Sequence, residues 1–328
     1  MNIIEAPLIH PLLKLFRPSI ATCAIERLAD GIHSALDVSY RGLGVFGFAR
    51  FGKTEAINYL MSHLDWLKDR TGALLQVDAP DSRKRTDSTF YQSWLTLLGV
   101  RIPPRAQPDE LCGLIMGRLI EVAQNTNTRL VVVFIDEAQR LLPLDYENLV
   151  SLDNRMTRAG YYFFAVFVHQ RDITGYSNEV IANNDYPPHV AGRFLIRKLE
   201  FTGLQDVEEV AFALSRYDTG TEWPPGSGIG YTQHFASVAF VNGFRLASYA
   251  QALWDAACHL RNGVRLPPNW TWAMKSFEAT VVYLLTIIAP RSAQFEAFTD
   301  ADLKEALEAS GLIELELSRY TYQPQGAK

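Results

Sequence analysis

Gly47-Phe48-Ala49-Arg50-Phe51-Gly52-Lys53-Thr54 satisfies the pattern G-x-x-x-x-G-K-[ST] at every fixed position. The residues before it, 42–46, form a short apolar run that reads as a buried strand. After it, 54–67 places Ile57, Leu60, Met61, Leu64 and Leu67 at helical spacing. A strand, a glycine-bounded turn and an amphipathic helix, in that order, make a phosphate-binding loop. Its glycines let backbone N–H groups turn inward around phosphate oxygens, and the helix start adds the positive end of its dipole. Lys53 would reach the β and γ phosphates of ATP as a point charge, and the Thr54 hydroxyl would ligate Mg²⁺. The expected nucleotide-binding set is Gly47, Phe48, Ala49, Arg50, Phe51, Gly52, Lys53, Thr54 and Glu55.

Further along, Leu130-Val131-Val132-Val133-Phe134-Ile135 is a continuous apolar run ending in Asp136-Glu137. Such a run reads as a central parallel strand covered on both faces. The carboxyl ends of parallel strands line the ligand crevice, which sets both acids beside the phosphate loop. Asp136 is expected to hold Mg²⁺ and Glu137 to polarise the water that attacks the γ phosphate. Alone, two acids after a strand mean little. Behind a complete phosphate loop they point to hydrolysis rather than nucleotide sensing.

Working outward, strands at 42–46, 73–77, 130–135, 161–168 and 196–201 alternate with helices at 20–36, 54–67, 90–98, 108–123 and 144–156. That alternation implies an α/β fold, a parallel five-stranded sheet sandwiched by helices. After Gly203 the pattern changes to helices at 206–217, 233–241, 245–260 and 271–288 without a strand between them. The expected organisation is an extension at 1–19, an αβα nucleotide domain at 20–203, a helical lid at 204–289 and a tail at 290–328. Within the tail, Thr299 with Asp302 three residues on forms a capping-box pattern.

Bulk properties agree with this plan. Of the 328 residues, 48% are hydrophobic and 20% charged, as in folded rather than disordered chains. A net charge of −5 argues against a uniform coating for nucleic acid, while a local basic patch stays open. Cys23, Cys112 and Cys258 are widely spaced, with no companions at metal spacing, so reduced thiols in a cytoplasmic protein are expected. The first seven residues lack a secretory-signal pattern. The apolar run at 280–289 is far too short to span a bilayer.

Further chemistry is expected at three places. The fourth strand ends in His169-Gln170-Arg171, where a polar side chain would touch the γ phosphate or the attacking water. Gln170 is the first choice and His169 the second; a solvated strand end is the plain alternative. Arg193, in Ala191-Gly192-Arg193-Phe194, makes sense as a catalytic residue projecting into the site of a neighbouring copy, with Arg197 in reserve. Arg245, in Asn242-Gly243-Phe244-Arg245, opens a helix of the lid and would swing onto the γ phosphate. Either arginine has an ordinary surface role as its alternative.

Taken together, the phosphate loop, D-E-A-Q after the third strand, G-R-F before the fifth and G-x-R opening a lid helix resemble an AAA+ ATPase. Their order is closest to the initiator clade. Asp136-Glu137-Ala138-Gln139-Arg140-Leu141 and the chain length resemble the transposon target-selection ATPases of the TnsC/TniB group, including those of CRISPR-associated transposons. The resemblance covers roughly residues 20–285. It departs at the fourth strand, where His169-Gln170-Arg171-Asp172 replaces a G-Q-P-E-like stretch of related secretion ATPases. The resemblance implies self-association into a ring or filament on double-stranded DNA, with a transposase and a target-selection adaptor as partners and no membrane. DNA would be held by backbone contacts. Arg83, Lys84 and Arg85, in the basic cluster at 82–86, are the first candidates, followed by Arg155 and Arg158. Two alternatives stand beside this reading: a replication-initiator or helicase-loader ATPase, and a signalling ATPase that never touches DNA.

Overall fold

The computed structural model describes residues 9–81, 85–171 and 186–321. They form two compact units. One holds 26–49 and 53–201; the other holds, among the described residues, 9–25, 50–52 and 202–321.

The first unit is built on one sheet of five parallel strands. These are β1 (Gly42–Phe48), β2 (Ala73–Asp78), β3 (Leu130–Asp136), β4 (Tyr162–Arg171) and β5 (Lys198–Glu200), in the order β2-β3-β4-β1-β5. Every residue of β3 after Leu130 is buried, because the strand is central and covered on both faces. On one face, Val131, Val133 and Ile135 share a core with Phe163 and Phe167 of β4. Three helices close that face: α3 (Asp87–Leu97), α4 (Pro108–Asn125) and α5 (Pro143–Arg158). α4 starts on Pro108 with Asp109 and Glu110 in its first turn, which suits the helix dipole. It turns Leu111, Ile115 and Leu119 inward at helical spacing. On the other face, α1 (Cys23–Asp37) approaches β1 and β5 closely: a Cβ at Gly31 would lie 3.4 Å from Leu199 and 3.6 Å from Leu43. The helix expected at 54–67 is split into α2 (Lys53–Ser62) and a 3₁₀ turn at Leu64–Leu67.

β4 runs three residues past the apolar stretch, through His169, Gln170 and Arg171. The reason is pairing: these residues face Phe46, Gly47 and Phe48 of β1 in parallel register. Ladder hydrogen bonds thus carry a polar strand end to the start of the phosphate loop.

The second unit is helical, as expected beyond Gly203. Its larger helices are α6 (Val207–Thr219), α7 (Ala250–Gly263), α8 (Met274–Tyr283), α9 (Asp300–Ala309) and α10 (Leu312–Thr321). The helix read at 233–241 is two short ones, Tyr231–Phe235 and Ser237–Val241, broken where Ala236 leaves helical geometry at φ −129°, ψ 47°. Among the described residues, neither the lead-in nor the tail stands apart from this unit. Leu12 and Ile20, together with Phe298, Leu303, Leu307 and Leu312, are buried in the same core as Leu214, Trp272 and Phe277. The cap read from Thr299 is present: its hydroxyl accepts from the Asp302 N–H, and the Asp302 carboxylate accepts from the Thr299 N–H at 2.8 Å. Among the described residues, no helix is long and apolar enough to cross a membrane.

Candidate nucleotide site

β1 leads directly into the loop, and α2 begins at Lys53. Between them the chain reverses through two left-handed residues, Arg50 at φ 67° and Gly52 at φ 93°. Gly47 is demanded by space: a Cβ there would collide with the carbonyl oxygen of Phe201. The Lys53 ammonium curls over the loop, donating to the carbonyls of Gly47 at 2.8 Å and Phe48 at 2.9 Å. Burial lowers its pKa to about 8, against the opposing pull of Asp136 and Glu137. A group held so has much to gain from a polyphosphate. Glu55 lies exposed in the first turn of α2.

The second segment meets the first. The Thr54 hydroxyl donates to Asp136 Oδ2 at 2.7 Å across the 82 residues that separate them in sequence. Asp136 is 7% exposed, and its other oxygen accepts from the Glu137 N–H at 2.8 Å. A hydroxyl and a carboxylate in contact, beside a lysine, fit a hard cation such as Mg²⁺. Thr54 and Asp136 would hold it, Asp136 directly or through water. When bound, it would neutralise charge on the β and γ phosphates.

Glu137 has left-handed backbone geometry, φ 55° and ψ 32°. It leaves the strand at a sharp angle, with its side chain 37% exposed. Its Oε2 accepts from Gln139 Nε2 at 2.6 Å and lies 3.5 Å from Arg140 Nη2. The carbonyl oxygen of the Gln139 side chain accepts from the main-chain N–H of Gln170 at 2.9 Å. Gln139 is a functional residue that the motif reading misses. Its position two residues after the glutamate was the available signal.

Gln170 lies beside Gly47 in the register, with its side chain exposed. His169 does not share that position. It is 1% exposed and stacked on Phe46, with ring centroids 4.6 Å apart and planes inclined by 6°. Burial, followed by the nearby charges of Lys198 and Lys53, lowers its pKa to about 3. Its value in the unfolded chain is near 6.5, so the unfolded chain binds more protons between these limits. Stability therefore falls as pH drops through that window, by about 2 kcal/mol at pH 5. His169→Phe is expected to remove this share of the acid lability. Melting curves from pH 7 to 5 that change equally in both proteins would refute it.

The arginines are placed as follows. A Cβ at Gly42, the first residue of β1, would lie 2.9 Å from the Phe194 carbonyl, which sets Arg193 at the start of that strand. β1 is 7 residues long, and at about 3.3 Å per residue its ends lie roughly 20 Å apart. Arg193 is thus at the opposite end of β1 from its own phosphate loop. It donates to Asp153 Oδ2 and Asn154 Oδ1, both at 2.8 Å, on the rim of a surface recess of about 460 Å³ that Arg41 and His189 also line. Arg197 lies 5.1 Å from the Tyr40 ring centroid and donates to Ser34 Oγ at 3.3 Å. Arg245, in the helical unit, donates to the Phe240 and Phe244 carbonyls at 2.9 and 2.6 Å and lies over the Phe240 ring.

Among the basic candidates, Arg85 serves the core. Its guanidinium is 5% exposed, pairs with the buried Asp145 at 3.2 Å and donates to the carbonyls of Pro80 and Arg140. This corrects its reading as a free phosphate contact. Arg155 is pinned to Asp109 of α4 by its ion pair. Arg158 stands exposed in the last turn of α5. Arg83 and Lys84 lie outside the described residues.

Residues 39–175 match the family described as AAA domain. No curated protein matches the chain significantly. Among solved structures, the chain is similar to the ORC2 protein of Aeropyrum pernix in its ADPNP–ADP complexes. The identity is 14% and the TM-score 0.44, over 96% of this chain and 85% of that one. It is also similar to a Walker-type ATPase of Pyrococcus abyssi, with 16% identity and a TM-score of 0.38 over 77% and 78%. A RuvB of Thermotoga maritima gives 14% identity and 0.34 over 92% and 87%. None of these three reaches a TM-score of 0.5; what carries the fold is the domain match, the sheet order and the bond between Thr54 and Asp136 at the end of β3. Residues 39–175 are thus an AAA domain, and the sheet that holds them has the P-loop AAA+ fold of an ATPase.

Proposed function

We propose that this ATPase works as an assembly of copies on double-stranded DNA, where it selects a target site and recruits a transposase. One observation carries the assembly: Arg193 sits about 20 Å from its own phosphate loop, by the length of β1, yet on the surface. An arginine so placed serves the nucleotide of another copy, and the site is whole only between copies. ATP binding and assembly are then linked, since each favours the other. Within each copy, Lys53 would grip the phosphates, Thr54 and Asp136 would hold Mg²⁺, and Glu137 would polarise the attacking water. Hydrolysis removes the γ phosphate that joins the copies and so releases the assembly.

The DNA and transposition part of the reading rests on D-E-A-Q-R-L after β3, together with the order of the other motifs, and on the basic cluster at 82–86. Arg85 is committed to Asp145, so the proposed phosphate contacts are assigned to Arg83 and Lys84 on their sequence position. The expected result is duplex binding that requires ATP, ignores sequence and weakens steeply with salt. Lys53→Ala should lose it along with ATP binding, and the pair Arg83→Glu, Lys84→Glu should lose DNA while keeping ATP. Fluorescence anisotropy of a labelled duplex reads both. No ATP-dependent binding by the wild-type protein at low salt would reject the DNA reading and favour a signalling ATPase with protein partners.

A further inference from the structure

We infer that Gln139 is the positioning residue of Glu137, fixing its carboxylate to the end of β4 so that it can orient the water that attacks the γ phosphate. This rests on the role assigned to Glu137 and adds a residue to it.

One planar amide makes both contacts. Its oxygen accepts from the Gln170 main-chain N–H at 2.9 Å, and its nitrogen donates to Glu137 Oε2 at 2.6 Å. The orientation of the amide is not ambiguous. An N–H faces one end and a carboxylate the other, so only one of the two flip states satisfies both. The donor engages one carboxylate oxygen, and the other is left to orient water.

Such a brace is needed because of where Glu137 sits. Its left-handed backbone is disfavoured for a residue with a Cβ, and the strand ladder that holds Asp136 stops there. The following turn, Ala138–Arg140, is only three residues long. Without Gln139, the carboxylate of an exposed, long side chain would sample several rotamers. The far end of the brace is well chosen: Gln170 pairs with Gly47, so the carboxylate is referenced to the strand end that borders the phosphate loop. Arg140, 3.5 Å from the same oxygen, adds charge but no directed hydrogen bond to hold it.

The test compares variants by ATP turnover and by binding of a fluorescent ATP analogue. Gln139→Leu keeps the bulk and loses both hydrogen bonds; kcat should fall about 10- to 100-fold while analogue affinity stays within about twofold. On a Glu137→Gln background the same change should add nothing, because the carboxylate it positions is gone. Gln139→Glu keeps the acceptor for Gln170 but sets a second carboxylate against Glu137. Its turnover should be depressed at neutral pH and recover, relative to wild type, at acidic pH where the pair shares one proton and the new carboxyl donates as the amide did. A fold-disrupting substitution would not recover on acidification. Unchanged kcat in Gln139→Leu, or a Gln139→Glu profile parallel to wild type, would overturn the proposal while Glu137→Gln remains inactive. Normal turnover in Glu137→Gln would instead remove the role of Glu137 itself.

Discussion

Replacing Glu137 by glutamine is expected to slow ATP hydrolysis by about 10²–10⁴-fold while ATP stays bound. The change is isosteric and removes only the ability to take a proton from water. The groups expected to grip the nucleotide do not include it: Lys53 lies over the loop carbonyls, and Thr54 bonds to Asp136. The backbone N–H of residue 137 would still donate to Asp136, as it does now. Binding should therefore be unaffected, and the ATP-bound assembly should persist because the step that dissolves it has been blocked. Phosphate release measured beside analogue binding and light scattering checks all three parts. Turnover within threefold of wild type would remove Glu137 as the water-polarising group and leave Asp136 to explain hydrolysis alone.

The centre of this site was legible in the sequence because its parts are local. A strand–loop–helix pattern fixes where Gly47, Lys53 and Thr54 lie, and an apolar strand ending in acids fixes Asp136. Parallel pairing then brings the two segments together without further information, as the 2.7 Å bond from Thr54 to Asp136 records. The polar end of β4 was harder. Both faces of that strand are buried, so apolar alternation carries no sign of which neighbour points inward. Only the register against β1 decides it: His169 falls on Phe46 and stacks there, and Gln170 falls on Gly47 at the loop. Arg85 shows the same limit. Three cations between hydroxyls read as a patch for DNA phosphates, but the carboxylate that claims the third, Asp145, is 60 residues away and buried. A single sequence does not reveal such a pairing. The apolar lead-in and tail were visible as apolar, yet nothing local says that Leu12 and Leu312 enter one core.

Replacing Arg193 by alanine carries the larger expected effect, a loss of about 10³–10⁵-fold in the turnover of assembled protein, the range typical of an arginine that stabilises a phosphoryl-transfer transition state. A single copy should bind ATP as before, because Arg193 is set at the far end of β1 from the loop. In the free chain the guanidinium is occupied by Asp153 and Asn154. Under the proposed role, joining a neighbour would exchange a carboxylate for a more highly charged triphosphate, which would make the arginine responsive to nucleotide. Arg193→Lys should not restore the rate, since a lysine offers a point charge where a planar fork spans two oxygens. The decisive measurement is mixing. Arg193→Ala copies keep an intact Glu137, and Glu137→Gln copies keep an intact Arg193. Each is inactive alone, but wherever an Arg193→Ala site faces the arginine of a Glu137→Gln neighbour, a complete site is formed. Turnover that rises on mixing above the sum of the separate proteins is the expected outcome, and it also shows that both variants are folded. If mixing restores nothing, or if wild-type turnover per copy is unchanged on dilution to single chains, then Arg193 does not act between copies and the link from ATP to assembly must lie elsewhere.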